Sequence, residues 1–263
     1  MKTKTILVMI ILLLIFSAGC IDSDSKKAKQ FYATAMEYYN NGQYELALEA
    51  CHQSLDSNPE YADAWYLKSM CYYYLGNYDE GINSVDQALE IDPQHADAWV
   101  LKGTYYAFYE DYDGALAAAD KALESEPENA DAWLLRGMSY YDYGDYTDSL
   151  SSVDKSVEYN PEEGTAWILK GMLHESLDQP EEAINAFDKA IELNPYDVEA
   201  LTMKGIVSQS TGDYDEALNA YEKVLELEPE SSEVWELEGN VLEELNRTEE
   251  AEECYFKAGE LMG

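Results

Sequence analysis

The side chains best suited to chemistry here are three histidines and four cysteines. His52, His95 and His174 are far apart in sequence, and none is spaced with a Cys or Ser as a zinc site or a nucleophile–base pair requires. Cys20, Cys51, Cys71 and Cys254 form no CxxC pair. Cys51 and Cys71 are read as small core residues; a bond between them is the alternative, which spacing cannot decide. Asn246-Arg247-Thr248 is an N-glycosylation sequon, and in a secreted chain Asn246 would be its acceptor. Phosphate loops, nucleophile elbows and EF-hand loops are absent from the sequence. The chain is therefore read as non-catalytic, with no cofactor and no specific metal site. The 54 acidic residues against 16 basic ones leave a net charge of −38. Phosphate-driven binding of DNA or RNA, which needs a basic stripe, is excluded, as is charge-driven docking on anionic lipid.

The elements that carry these residues recur at a fixed period. Trp65, Trp99, Trp133 and Trp167 stand 34 residues apart, with Leu201 and Trp235 in the next slots. Pro59, Pro93, Pro127, Pro161, Pro195 and Pro229 keep the same 34-residue beat. With the Trp at position 4 of the unit and the Pro at position 32, repeats start near residues 28, 62, 96, 130, 164, 198 and 232. Positions 8, 20 and 27 hold small residues in nearly every copy, as in Gly103, Ala115 and Ala122. Small residues at fixed points let two helix backbones approach closely. Bulky residues at positions 4, 11, 17 and 24, such as Trp133, Tyr140, Tyr146 and Val153, fill the space around that contact. Gly42, Gly76, Gly144 and Gly212 mark a turn near position 15, and the proline ends the second helix. Pro180 falls outside the series and suits the first turn of a helix. Each unit reads as helix, tight turn, helix, turn.

The unit resembles the tetratricopeptide (TPR) repeat: length, Trp, Gly, Tyr, Ala and Pro agree in phase from Ala28 to about Gly263. The resemblance implies an all-α, right-handed superhelical solenoid of about seven helix-turn-helix units. Each unit contacts only its neighbours, so length sets the number of units rather than core depth. Repeat 1 departs at the Trp slot, which holds Phe31, and repeat 7, with Asn246 and Thr248 at its turn, is read as the cap.

The N-terminus has a secretory layout: Lys2 and Lys4, then eleven apolar residues from Ile6 to Phe16, then Ser17-Ala18-Gly19-Cys20. The apolar run is shorter than the roughly 20 residues a membrane span needs. Ala18-Gly19-Cys20 resembles the lipobox of prokaryotic lipoproteins, although Ser17 stands where Leu is usual. That resemblance implies a signal over residues 1–19, lipidation of Cys20, a polar tether through Lys27, and the solenoid over 28–263. The mature chain would then be extracytoplasmic, in a bacterium or archaeon, and held to the cell membrane by its lipid alone. An ordinary cleaved signal and an uncleaved anchor are the alternatives.

In TPR proteins, positions 2, 5, 9, 12 and 13 of the first helix point into a concave groove. Carried over to this chain, those positions give Tyr32, Met36, Tyr66, Met70, Tyr73, Tyr74, Phe108, Leu134, Met138 and Tyr141 in the first four units. The later units offer Glu175, Gln209, Glu236 and Glu243 instead. Exposed apolar stripes tend to be binding surfaces, and Tyr and Met suit adaptable recognition. TPR co-chaperones that grip acidic tails use Lys, Arg and Asn in the groove; only Lys29 and Asn40 are near it here. The expected partner is an apolar or basic protein segment, with envelope assembly or secretion as the setting the resemblance implies. Self-association is a further expectation. The alternative is an acidic surface protein that binds cations or basic partners through charge.

Overall fold

The computed structural model describes residues 24–262. Among them are fourteen α-helices in seven pairs and no strand. Helix α1 covers 24–40 and is followed by α2 (Tyr44–Ser57), α3 (Ala62–Tyr74), α4 (Tyr78–Ile91), α5 (Ala96–Phe108) and α6 (Tyr112–Ser125). These six belong to one compact unit, which runs to Pro127. The second unit, from Glu128, holds α7 (Ala130–Tyr143), α8 (Tyr146–Tyr159), α9 (Gly164–Ser176), α10 (Pro180–Leu193), α11 (Val198–Thr211), α12 (Tyr214–Leu227), α13 (Ser232–Glu244) and α14 (Thr248–Met262). Within each unit every first helix packs on its own second helix, and that second helix packs on the next first helix. This is the all-α TPR solenoid pattern. Residues 20–23 of the expected tether lie outside the described residues, and the remainder differs from expectation: Asp24 to Lys27 are the first turn of α1. Asp24 places a carboxylate at the positive end of the helix dipole, which favours helix there.

The periodic residues have identifiable physical roles. Trp65 donates its indole N–H to the carbonyl of Pro59 at 2.8 Å, and Trp99, Trp167 and Trp235 do the same to Pro93, Pro161 and Pro229 at 2.9 Å. In these four repeats the tryptophan ties the start of the first helix to the turn before it. The proline carbonyl can serve because the chain has just left the preceding helix. Position 15 is left-handed throughout: Gly42, Gly76, Gly144 and Gly212 have φ between 71° and 83°, and Glu110, Asp178 and Asn246 have φ of 58–59°. Glycine adopts this conformation without steric cost, which the other three must bear. Pro180 is at the N-terminus of α10, where its missing N–H removes no helical bond.

Helix pairs close on a size-matched contact between positions 8 and 24. A Cβ built on Gly171 would lie 2.5 Å from the Phe187 ring, and one on Gly239 would lie 2.6 Å from Tyr255. In repeat 1 Cys51 at position 24 is matched with Ala35 at position 8, whereas repeat 3 has small residues at both, Ala119 and Gly103. Phe187 and Tyr221 are fully buried by this arrangement. Position 10 then reaches back into the preceding repeat, as with the buried Tyr105, Leu173 and Val207.

Ion pairs join successive repeats on the other face of the first helix. Lys102 meets Asp86 at 2.7 Å, Lys170 meets Asp154 at 2.7 Å, and Lys204 meets both Asp188 (2.8 Å) and Glu216. The three Lys–Asp pairs link position 7 of one repeat to position 25 of the one before, while Glu216 belongs to the same repeat as Lys204. With their carboxylates near half exposed, such pairs contribute about 0.5–1 kcal/mol each. The pattern breaks near both ends. Lys68 faces His52, whose burial and cationic neighbour lower its pKa. Glu238 faces Glu222, and burial together with that like charge raises the Glu238 pKa.

Candidate functional site

The histidines and cysteines are not brought together. His95 caps α5, its Nδ1 accepting the Ala98 N–H at 3.4 Å while Nε2 lies 3.6 Å from Asp63. His174 Nδ1 lies 2.7 Å from Gln179 Oε1 across the turn between α9 and α10. Cys51, Cys71 and Cys254 are buried free thiols. The hydrogen bond from Cys71 and then burial push the Cys51 thiol well above its ordinary range. Burial likewise pushes the Cys254 thiol up to about 11. Among the described residues no cluster of three or more His, Cys, Asp or Glu could hold a metal ion. Asn246 is exposed at the left-handed turn before α14, where Asn tolerates φ of 58°. Cys20 and the apolar run before it lie outside the described residues. No described helix is long and apolar enough to cross a membrane.

Nine of the ten residues picked from the first helices divide into two groups, and Tyr141 touches features of both. Tyr32, Met36, Tyr66, Met70, Leu134 and Met138 lie along first-helix faces. Tyr32 and Met36 are half-buried against Ala35, Cys51 and Leu67. Tyr32 packs its ring 5.1 Å from Tyr61, and Tyr66 packs 4.9 Å from the His95 ring. Burial and the nearby Asp63 push the Tyr32 hydroxyl up to about 12, so it stays neutral and can donate. In the second unit, Leu134 and Tyr141 rest on Val153, Leu169 and Leu173, while Met138 is 43% exposed. The first helices α7, α9, α11 and α13 touch in succession, so their faces line one side of that unit. This contact also buries Ile168, one of the expected groove positions.

Tyr73, Tyr74 and Phe108 belong to a different feature. They lie at the C-terminal ends of α3 and α5, where they join Tyr39 and Tyr44 of repeat 1 and Tyr78 and Tyr109 of repeats 2 and 3. Tyr44 and Tyr74 stack at 4.8 Å with their planes 8° apart. Tyr39 lies 5.7 Å from Tyr74, Tyr73 lies 5.6 Å from Tyr74 and 5.9 Å from Tyr78, and Tyr78 reaches Phe108 at 4.1 Å. Phe108 meets Tyr109 at 5.4 Å. The result is a continuous chain of rings across three repeats, beside the turns between paired helices. Tyr74, Phe108 and Tyr109 are each more than half exposed. The sequence signal for this edge was the coincidence of aromatics at positions 12 and 13 with Tyr at position 17, and the groove positions include the first two but not the last. In the second unit Tyr141 and Tyr146 are all that remains of it, 5.6 Å apart.

Two cavities of about 520 Å³ recur at equivalent positions of repeats 2 and 5. One is walled by Trp65, Lys68 and Asn83 and the other by Trp167, Lys170 and Asn185.

Comparison with known proteins agrees with this architecture. A family model described as tetratricopeptide repeat matches residues 32–96, 72–107, 102–155 and 202–259, and a second with the same description matches 165–197. No curated protein sequence matches the chain. Among solved structures, MamA is 30% identical with a TM-score of 0.59, over 61% of this chain and 94% of that one. PilW, described as a widely conserved type IV pilus biogenesis factor, aligns with a TM-score of 0.72 at 22% identity, over 82% of this chain and 98% of that one. Pseudomonas aeruginosa pilF aligns with a TM-score of 0.75 at 16% identity, over 83% and 99%. The last two are likenesses of fold. With its 34-residue period, its helix pairs and its matched repeats, this chain belongs to the tetratricopeptide repeat family.

Proposed function

We propose that this chain is a non-catalytic scaffold that holds a protein or peptide partner on its first-helix faces, at the outer side of the cell membrane, to which lipid on Cys20 anchors it. The family's general use as a protein-interaction scaffold supports the first part. The observations that carry the binding surface are the partly exposed Met36 and Met70, flanked by Tyr32 and Tyr66, in the first unit, and Met138, 43% exposed and one turn after Leu134, in the second. These side chains pack on the core with one side and keep apolar surface open on the other, and flexible thioethers adapt to varied apolar partners. The secretory layout of residues 1–20 supports the location. The fold shared with PilW and pilF is consistent with a role in envelope assembly or secretion.

The test is a capture experiment from detergent-solubilised membranes, with wild type beside Met70→Glu/Met138→Glu. A protein retained by the first and lost by the second, at equal helicity, supports the surface. Equal capture by both overturns it. Anchoring is tested separately: Cys20→Ala should move the protein out of the membrane fraction.

A second reading is favoured by the charge of −38. The acidic surface itself would bind basic partners or cations. Capture would then fall steeply as salt rises, because exposed charges are screened within about 8 Å at physiological ionic strength. An apolar contact would barely respond.

A further inference from the structure

We infer that the aromatic edge of the first unit is a docking site for a lysine- or arginine-bearing segment of a partner protein, separate from the first-helix faces. The inference rests on the partner-binding reading above and adds a second surface with its own chemistry.

The edge has three properties that together select a cation. First, its rings are continuous, from the partly buried Tyr39 and Tyr44 through Tyr74 and Tyr78 to Phe108 and Tyr109, and Tyr74, Phe108 and Tyr109 are more than half exposed. The face of an aromatic ring is electron-rich and attracts ammonium and guanidinium groups, by about 0.5–2 kcal/mol per contact.

Second, carboxylates flank the rings in sequence and space. Tyr109 donates its hydroxyl to Asp79 Oδ1 at 3.2 Å. Asp79 follows Tyr78, Glu110 and Asp111 follow Tyr109 in the turn, and Glu45 follows Tyr44, all of them exposed. The described lysines of this unit lie elsewhere: Lys26, Lys27 and Lys29 are in the first two turns of α1, Lys68 and Lys102 are in the middle of their helices, and Lys121 is on α6.

Third, the tryptophan at position 4 of the repeats carries a cation from the chain itself, and this edge does not. Lys68 lies 4.7 Å from the Trp65 ring centre, Lys102 lies 5.4 Å from Trp99, and Lys170 lies 5.3 Å from Trp167. Among the described residues, none of the seven edge rings has a Lys or Arg over it. An external cation supplies here what Lys68, Lys102 and Lys170 supply at the tryptophan rings.

Other occupants fit less well. A second copy would bring its own acidic edge or surface against these carboxylates, at a net charge of −38 per chain. A purely apolar segment would strip water from Asp79, Glu110 and Asp111 without pairing them. A segment that alternates basic and apolar side chains stacks on the rings and pairs with the acids at once.

The experiment titrates the full chain in detergent micelles with a fluorescent amphipathic peptide of Lys and Leu, and with its Glu-for-Lys twin, by anisotropy. The variants are Tyr74→Ser/Phe108→Ser for the edge and Met70→Glu/Met138→Glu for the first-helix faces. Tyr74 and Phe108 are each 55% exposed, so their truncation should spare the fold, which circular dichroism checks. The expected result is that the Lys peptide binds wild type at least tenfold more tightly than the edge variant and equally to the first-helix variant, while the Glu peptide binds neither. Equal binding of the Lys peptide to wild type and edge variant means that diffuse charge holds it, and overturns the inference. Loss in the first-helix variant alone also overturns it, and leaves the proposed scaffold surface standing. Retention of binding by Tyr74→Phe/Phe108→Tyr, which keeps both ring faces, is required as well.

Discussion

The Tyr105 hydroxyl occupies the place a side chain at Gly81 would take. It donates to the carbonyl of Ser69 at 2.8 Å, and a Cβ at Gly81 would fall well inside van der Waals contact with it. The Ser69 hydroxyl in turn donates to the Gly81 carbonyl at 2.8 Å, so α3, α4 and α5 are tied at one buried point. Burial is also what pushes the Tyr105 hydroxyl up to about 12 and keeps it a donor at any physiological pH. Most other repeats have Ala at position 20 because their position 10 residue is smaller, as in the Ala183–Val207 pair.

This pair gives the first prediction. Gly81→Ala should destabilise by about 1–3 kcal/mol through overpacking. Tyr105→Leu should cost about 2–4 kcal/mol from lost volume and hydrogen bonds. The double variant should be less destabilised than the sum of the two by about 1 kcal/mol or more, because Leu frees the space Ala needs. Urea unfolding of all four proteins checks the coupling; simple additivity would refute the steric account.

Glu110 is held at φ of 59° in a turn where four other repeats use glycine. Glu110→Gly should therefore stabilise, by about 0.5–1 kcal/mol, since the strain relieved exceeds the extra freedom glycine gives the unfolded chain. A raised melting midpoint is the expected readout. The equivalent change at Gly76, Gly76→Glu, should lower it.

Trp99→Phe keeps the packing of the ring and removes the N–H that reaches the Pro93 carbonyl. The expected loss is about 0.5–1 kcal/mol, at the low end for a hydrogen bond because the carbonyl stays accessible to water. Hydrogen exchange should quicken in the first turn of α5 more than elsewhere.

Glu238 sits where interior repeats place lysine, and it faces Glu222. Burial, then that like charge, raise its pKa above the ordinary 4.5. The folded state thus holds this proton more tightly than the unfolded chain does. Ionising it costs stability, and the cost is absent at low pH, grows as pH rises through the shifted value, and stays constant beyond. Glu238→Gln should raise the melting temperature at pH 7 by on the order of 1–2 °C. The gain should vanish by about pH 3.5, where both forms are protonated. Melting curves of the two proteins at both pH values decide it.

The sequence by itself determined the repeat, its period and the turns between its helices, because these are local. A proline stops a helix, a glycine allows a left-handed turn, and a small residue every few positions marks a contact, whatever the rest of the chain does. The sites of Trp65, Pro59 and Gly76 were legible for that reason, as was the placement of Pro180 at a helix start. What only the tertiary structure decided is which side chains meet across repeats. The template reading put Tyr73, Tyr74 and Phe108 with Tyr66 and Met70, yet their rings gather instead with Tyr44 and Tyr78 from the second-helix starts. That grouping depends on how far one repeat is displaced along the next, a quantity set by the sum of the small-to-large contacts between helices rather than by any one residue. The same holds for Gly81: its type is explained only by Tyr105, 24 residues away and in another repeat.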